Sequence, residues 1–206
     1  GVRHFFYQSA LGASPDSSSR YQKTKALAEE AVRQSGIPFT IFRPSLVIGD
    51  GDGFTERLRE LIGLGPVVTV PGTGNGRFQP LFVEDWVRCF LGIVNNEAAL
   101  GRVYELGGPE HLTYNEILTT LMEALNISKP VVHVPMPLMK AGLPFMGIAQ
   151  GLGRLVGKRV PSVSSEQLAL LEIDNITELE AVEKSFGFSP IPYREALRSF
   201  IRPLAR

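Results

Sequence analysis

The order strand, helix, strand within the first fifty residues constrains this chain more than any other feature of its sequence. Val2 to Gln8 is a short apolar and aromatic run ending in Ser9-Ala10-Leu11-Gly12, as a buried strand entering a loop does. Residues 20 to 35 are rich in Ala, Glu, Lys and Arg and stop at Gly36 before Pro38, which predicts a helix. Phe39-Thr40-Ile41-Phe42-Arg43 and Leu46-Val47-Ile48 form the next apolar run, bent at Pro44 and closed by Gly49-Asp50-Gly51-Asp52-Gly53. That order implies a βαβ unit. Its sheet is parallel, its crossover right-handed, and its ligands gather at the carboxyl ends of the strands. Ser9 and Ser45 are expected to face that crevice.

Further along, residues 54 to 63 read as a helix, 66 to 70 as extended, and Pro71-Gly72-Thr73-Gly74-Asn75-Gly76 as a loop leading to Phe78. Val83 to Val94 predicts an apolar helix capped near Glu84 or Asp85. Val103 to Leu106 predicts a strand closed by Gly107-Gly108-Pro109. Thr113 opens a helix with Glu116 at the capping-box position, running to about Leu125. Val131 to Pro137 reads as extended, 164 to 174 and 177 to 186 as short helices, and Tyr193 to Ile201 as a last one. The segment from Pro135 to Val160, with Met136, Met139, Leu143, Phe145, Met146, Leu152 and Leu155, is either a packed helical face or a surface for a hydrophobic substrate, a quinone or a protein partner.

Composition removes several classes of function. Lys plus Arg and Asp plus Glu are both 21, so no net field draws nucleic acid or an anionic membrane. Cys89 is the one cysteine, which excludes an internal disulfide and a cysteine-based zinc site and suggests a reducing, cytoplasmic setting. His4, His111 and His133 are too far apart for a local metal-ligand pattern, so no metal is expected. No stretch is apolar for the roughly 18 residues of a membrane span.

Tyr21 and Lys25 stand four apart in the first predicted helix, one turn from each other on one face. A phenol ordinarily titrates near about 10 and is a poor proton carrier at neutral pH, but a neighbouring ammonium favours the phenolate and lowers that value. Tyr21 is then able to exchange a proton with a substrate hydroxyl or carbonyl while hydride moves to or from a nicotinamide. Ser9 offers a hydroxyl for the same substrate oxygen. A Tyr-x-x-x-Lys spacing arises readily by chance, and its weight comes from the order strand, Ser9, turn, Tyr21, Lys25, strand, Arg43-Pro44-Ser45.

Those residues carry a resemblance. Ser9, Tyr21-Gln22-Lys23-Thr24-Lys25, Phe42-Arg43-Pro44-Ser45-Leu46-Val47-Ile48-Gly49-Asp50-Gly51-Asp52, Phe82-Val83-Glu84-Asp85 and Tyr104-Glu105-Leu106-Gly107-Gly108 resemble, in order and spacing, the second half of extended short-chain dehydrogenases of the NAD-dependent epimerase/dehydratase superfamily. The likeness runs to about Glu123. Within that superfamily the chain looks most like the atypical NAD(P)-binding group related to the accessory NAD(P)H-binding subunit of respiratory complex I, and it is also similar to sugar-nucleotide epimerases and dehydratases.

The resemblance implies that Ser9, Tyr21 and Lys25 are the catalytic serine, tyrosine and lysine, with Tyr21 and Lys25 also touching the cofactor and the lysine holding the nicotinamide ribose. It implies that Pro44, Ser45, Leu46 and Val47 flank the nicotinamide, and that Ala10, Arg77 and Phe78 lie on the substrate side. Asp85 matches an acidic position that caps the following helix. The family's amino-terminal strand, glycine-rich turn and helix, which cradle the pyrophosphate, have no counterpart in this sequence. Gly49-Asp50-Gly51-Asp52-Gly53 and Gly72-Thr73-Gly74-Asn75-Gly76 read G-x-G-x-G, not G-x-G-x-x-G, and the two aspartates of the first repel a phosphate. The chain is therefore expected to be a piece of a protein of about 300 residues.

The expected fold class is α/β, the C-terminal part of a Rossmann-like parallel sheet with a smaller, mostly helical substrate domain. Residues 1–49 and 78–108 are assigned to the NAD(P)-binding part, 50–77 and 109–206 to the substrate side. The expected function is that of an NAD(P)-dependent oxidoreductase or epimerase-like protein using NAD or NADP on a small-molecule substrate. The alternative is a non-catalytic NAD(P)H-binding subunit or assembly factor with a protein partner.

Overall fold

The computed structural model describes residues 1–142 and 164–201. In chain order the elements are β1 (Phe5–Gln8), α1 (Arg20–Gln34), β2 (Phe39–Pro44), β3 (Val47–Ile48), α2 (Gly53–Leu64), β4 (Val68–Pro71), β5 (Arg77–Phe78), β6 (Leu81–Phe82), α3 (Val83–Ile93), a 3₁₀ turn at Glu97–Ala99, β7 (Arg102–Leu106), β8 (Leu112–Thr113), α4 (Tyr114–Ala124), β9 (Val131–Val134), α5 (Met136–Gly142), α6 (Ser165–Leu170), α7 (Ala181–Phe186) and α8 (Tyr193–Phe200). They fall into two compact units. The first is Gly1–Ile48 with Phe78–His111 and Asn175–Ala196, and the second is Gly49–Arg77 with Leu112–Asp174 and Leu197–Arg206. Asn175–Ala196, read from sequence with the helical part, thus clusters with the sheet.

In the first unit β1, β2 and β7 form a parallel sheet in that order, pairing Phe5 with Phe39, Gln8 with Phe42, and Pro44 with Leu106. The α/β class and parallel sheet expected from the opening fifty residues are what the chain adopts. Helix α1 makes the crossover. It begins where the Ser19 side chain accepts the Gln22 N–H, and it ends before Gly36, whose φ of +71° suits a residue without Cβ. Alternation along β2 sends Arg43 to the α1 side and Phe42 to an aromatic core on the other. Phe42 meets Phe6, Tyr104 and Phe186 edge-on at centroid distances of 5.0, 5.7 and 5.9 Å. Each such contact adds about 0.5–1.5 kcal/mol to the burial itself. Leu81, Cys89, Ile93, Leu106 and Val182 complete this core.

Two local expectations change. Helix α3 has Phe82 at its N-cap with no side-chain cap bond, and the Asp85 carboxylate instead accepts the Ile191 N–H at 2.9 Å. Asp85 therefore ties the chain near Ile191 to the helix and does not cap it. In the second unit the extended run stops at Val134 and α5 begins at Met136, because Pro137 falls in a first helical turn, where no amide N–H is needed. Helix α4 starts with the expected capping box between Thr113 and Glu116, and β4 pairs with β9 in parallel.

Leu143, Phe145, Met146, Leu152 and Leu155 of the apolar segment lie outside the described residues. Among the described residues no helix is long and apolar enough to cross a membrane.

Candidate functional site

The candidate site is built on one face of α1 and the carboxyl ends of β1 and β2. Tyr21, Lys25 and Glu29 follow each other at four-residue intervals and share that face. Lys25 Nζ donates to the Gln8 carbonyl at 2.9 Å, which holds its ammonium at the last residue of β1. It lies 5.3 Å from the centre of the Tyr7 ring and 5.8 Å from that of Tyr21. The two sequence-predicted partners are therefore together, with Tyr21 49% exposed. The start of α1 is pinned to the loop after β1, since Ser17 Oγ donates to Gln22 Oε1 at 2.5 Å and Gln22 Nε2 donates to the Leu11 carbonyl at 3.5 Å.

The Tyr21 phenol is not lowered toward neutrality. Burial raises it above its ordinary value, because the phenolate loses hydration there. Tyr7 is raised as well, by burial first and then by the charges of Glu29 and Tyr21. Tyr21 in this arrangement is a protonated phenol.

Ser9 continues the β1 ladder, its N–H donating to the Phe42 carbonyl at 2.7 Å. Its hydroxyl is buried and makes no bond in hydrogen-bond geometry. It nevertheless lies near enough to Glu29 to help hold that carboxylate charged. Glu29 is 1% exposed. Arg43 Nε and Nη2 each donate to it at 2.8 Å, and Arg33 Nη2 adds a third bond at 2.9 Å. Burial works to raise the Glu29 carboxyl, but the hydrogen bonds from Arg43, Ser9 and Arg33 overcome it and keep the group below its ordinary value. Arg43 is raised in turn, chiefly by its bonds to Glu29.

Ala10 and Pro44 are buried. Pro44, Ser45 and Leu46 have their main chain fixed: the Leu11 N–H donates to the Pro44 carbonyl, the Ser45 N–H to Leu106, and the Leu81 N–H to the Leu46 carbonyl. Val47 follows in β3, paired with Leu81. The Ser45 hydroxyl is engaged from a distant stretch of chain. It lies 2.6 Å from the Asn175 carbonyl and 2.7 Å from Asn175 Oδ1, either of which can accept its proton, and it accepts the Gln79 N–H at 3.3 Å.

Gln79 is fully buried, donating to the Gly108 and Glu178 carbonyls and accepting the Thr177 N–H. A Cβ at Gly108 would overlap the Pro80 carbonyl, which accounts for the second glycine of the Gly107-Gly108 pair. Phe78 is buried and bridged to Asn175. Arg77, in the second unit, has both its backbone N–H and its guanidinium on Asp174, so its charge is already paired.

Sequence reading missed Glu29, Gln79 and Asn175. Glu29 carried a usable signal, an acidic residue four beyond Lys25 on the reactive face. Gln79 and Asn175 carried none.

These residues suit the nicotinamide ribose side of a dinucleotide, because Lys25 uses one of its three donors on Gln8 and has two more to give. They do not supply a pyrophosphate cradle. Asp52 accepts the Gly49, Phe54 and Thr55 N–H groups at the start of α2, occupying the donors that an anion needs.

The family model described as the NAD dependent epimerase/dehydratase family matches residues 7–107. The chain is 31% identical over 142 residues to NADH dehydrogenase (ubiquinone) 1 alpha subcomplex subunit 9, mitochondrial, of Arabidopsis thaliana, covering 68% of this chain and 35% of that protein. It is 25% identical over 207 residues to 3beta-hydroxysteroid-dehydrogenase/decarboxylase isoform 1 of the same plant, covering 93% of this chain and 47% of that one. It thus spans a third to a half of these relatives. An NADPH-dependent quinone oxidoreductase of Escherichia coli, solved with NADPH, shares its fold with a TM-score of 0.65 at 18% identity, over 96% of this chain and 65% of that one. Through residues 7–107, this chain belongs to the NAD dependent epimerase/dehydratase family.

Proposed function

We propose that the first unit supplies the reactive side of an NAD(P)-dependent oxidoreductase site in which Tyr21 exchanges a proton with a substrate oxygen. The observation that supports it most is the Tyr21 and Lys25 stripe, with the ammonium 5.8 Å from the centre of the phenol ring and fixed on Gln8. A phenol raised by burial is a proton donor at rest. The nearby ammonium is placed to offset part of the charge of the phenolate left after transfer, and that phenolate takes a proton back in the reverse direction. The two remaining donors of Lys25 suit the ribose hydroxyls, and the fixed main chain of Pro44 to Leu46 with Val47 forms a wall for the nicotinamide. When bound, NAD(P) supplies the hydride acceptor or donor.

On this reading residues 1–49 and 78–108, with Asn175–Ala196 clustered on them, hold the cofactor, and 50–77 with the rest of 109–206 form the substrate side. The relatives' names, an NADH dehydrogenase subunit and a hydroxysteroid dehydrogenase, favour a hydrophobic alcohol or carbonyl compound over a nucleotide sugar. They also make a mitochondrial setting as reasonable as a cytoplasmic one.

The second reading is a cofactor-binding subunit without turnover and with a protein partner. The buried Ser9 hydroxyl and the engaged Ser45 favour it. The two readings separate in the complete protein, comparing wild type with Tyr21→Phe against a panel of carbonyl compounds and nucleotide sugars while cofactor binding is measured in parallel. Turnover should fall by about 10²–10⁴-fold with cofactor affinity unchanged. Equal turnover in both removes Tyr21 from the chemistry, and cofactor binding without turnover in either favours the second reading.

A further inference from the structure

Among the described residues, the groups that meet the Lys25 ammonium are neutral. Glu29, the acidic residue one turn further on the same helix face, gives its carboxylate to Arg43 and Arg33. Two of the neutral groups come from adjacent residues of β1. The Gln8 carbonyl accepts one Nζ proton at 2.9 Å, and the Tyr7 ring lies under the ammonium with its centre 5.3 Å away. The third is the Tyr21 ring, 5.8 Å from Nζ to its centre. Both rings stand within the roughly 6 Å over which the negative face of an aromatic ring attracts a cation.

Strand alternation sends Phe6 to the aromatic core and Tyr7 to the α1 side, where it pairs with Ile41 of β2. Ile41 is fully buried, so an aliphatic side chain is enough for packing on this side of the sheet. An aromatic ring adds an attraction for charge. A carboxylate in its place would also fix the ammonium, but it would cancel the charge, whereas a ring has a quadrupole and no net charge. Burial, and after it the charges of Glu29 and Tyr21, raise the Tyr7 phenol, so Tyr7 stays neutral at ordinary pH.

The geometry points to Tyr7 as a positioning residue, whose ring face holds the Lys25 ammonium against β1 beside Tyr21 and leaves its charge uncancelled. The contact stands on geometry, and its consequence for reaction rests on the Tyr21 and Lys25 reading. Lysine is a compact charge on a flexible four-carbon stem. With the ring's attraction weakened, the ammonium spends less time beside Tyr21 and its two remaining donors meet the ribose hydroxyls less often. Cofactor affinity and turnover then fall together.

The test replaces Tyr7 in the complete protein by phenylalanine and by 3,4,5-trifluorophenylalanine, which has nearly the same shape and an electron-poor ring face. Urea unfolding is measured for both, with Lys25 and with Lys25→Met, and the dissociation constants of NADH and NADPH are measured with Lys25 kept. The loss in the folding equilibrium constant on fluorination should be about two- to fivefold larger with Lys25 than with Lys25→Met. Cofactor dissociation constants should rise by a similar factor. A Tyr7 that only packs responds to fluorine equally in the two backgrounds, and that result overturns the proposal. Cofactor affinity that changes without the coupling in unfolding overturns it as well, since the ring then acts on the cofactor and not through Lys25. If the coupling holds while affinity is indifferent to fluorine, Tyr7 still positions Lys25, and the ribose role of Lys25 falls. Should Lys25→Met fail to fold, Lys25→Gln, which keeps a donor for the Gln8 carbonyl, takes its place.

Discussion

Helix α1 treats its charged and polar residues differently at its two ends. Tyr21 is 49% exposed and Lys25 reaches a main-chain carbonyl at the end of β1, whereas Glu29 is 1% exposed and carries three bonds from two arginines. The half-exposed end carries the pair proposed to react, and the buried end ties the helix to β2. A bidentate Arg43 to Glu29 bond links α1 to β2, and its geometry fixes the rotation of the helix about its axis, hence the direction in which Tyr21 and Lys25 point. A buried ion pair is a poor source of net stability, but breaking one leaves a charge stranded.

The sharpest way to break the contrast is Arg43→Ala, which strands Glu29 with only Arg33. It should cost about 3 kcal/mol, the lower end of the range for a severed buried pair, read as a shift in the urea midpoint. Arg33→Ala removes a half-exposed i,i+4 partner and should cost no more than about 1 kcal/mol in the same assay. At the other end of the helix, Tyr21→Phe should change stability by less than about 0.5 kcal/mol, even though it is the substitution expected to abolish most turnover. A Tyr21→Phe cost as large as that of Arg43→Ala would erase the distinction between the two ends.

Acid sharpens the same contrast. Glu29 is held below its ordinary value when folded, so its stabilisation is complete above an unfolded value of about 4.3 and is lost as pH falls through the folded value. Glu29→Gln should flatten the decline in the urea midpoint below about pH 4.3. Asp85 acts oppositely, since burial raises its carboxyl and protonation then favours the fold. Asp85→Asn should therefore make the decline steeper. The smallest effect is on Tyr7, part of whose raised value comes from the Glu29 charge. Its titration in ¹³C-tyrosine NMR should move down in Glu29→Gln.

The βαβ opening, the α1 boundaries and the capping box at Thr113 were legible because helical and strand periods and capping chemistry are local. Tyr21 and Lys25 were legible for the same reason, since a four-residue spacing becomes one helix face without further information. Glu29 lies one turn further on that face, but an acidic residue in an Ala, Glu and Lys-rich helix ordinarily faces water. The arrival of Arg43 from β2, together with Arg33 on the same helix, makes its burial tolerable.

The engagement of Ser45 by Asn175, 130 residues away, has no local signature at all. Neither has the choice of Ile191 over a helix cap by Asp85, because both depend on where Asn175–Ala196 docks within the first unit. The expected lowering of the Tyr21 phenol is reversed by burial. Spacing brings the ammonium near, but burial raises the phenol.

The protonation state of Tyr21 decides whether the exposed end of α1 holds a proton donor. Selectively ¹³C-labelled tyrosine, with the Tyr21 resonance assigned by its loss in Tyr21→Phe, gives that titration directly by NMR. The expected result is a Tyr21 phenol that stays protonated until above about pH 10. A Tyr21 resonance that titrates between about pH 7 and 9 would contradict it.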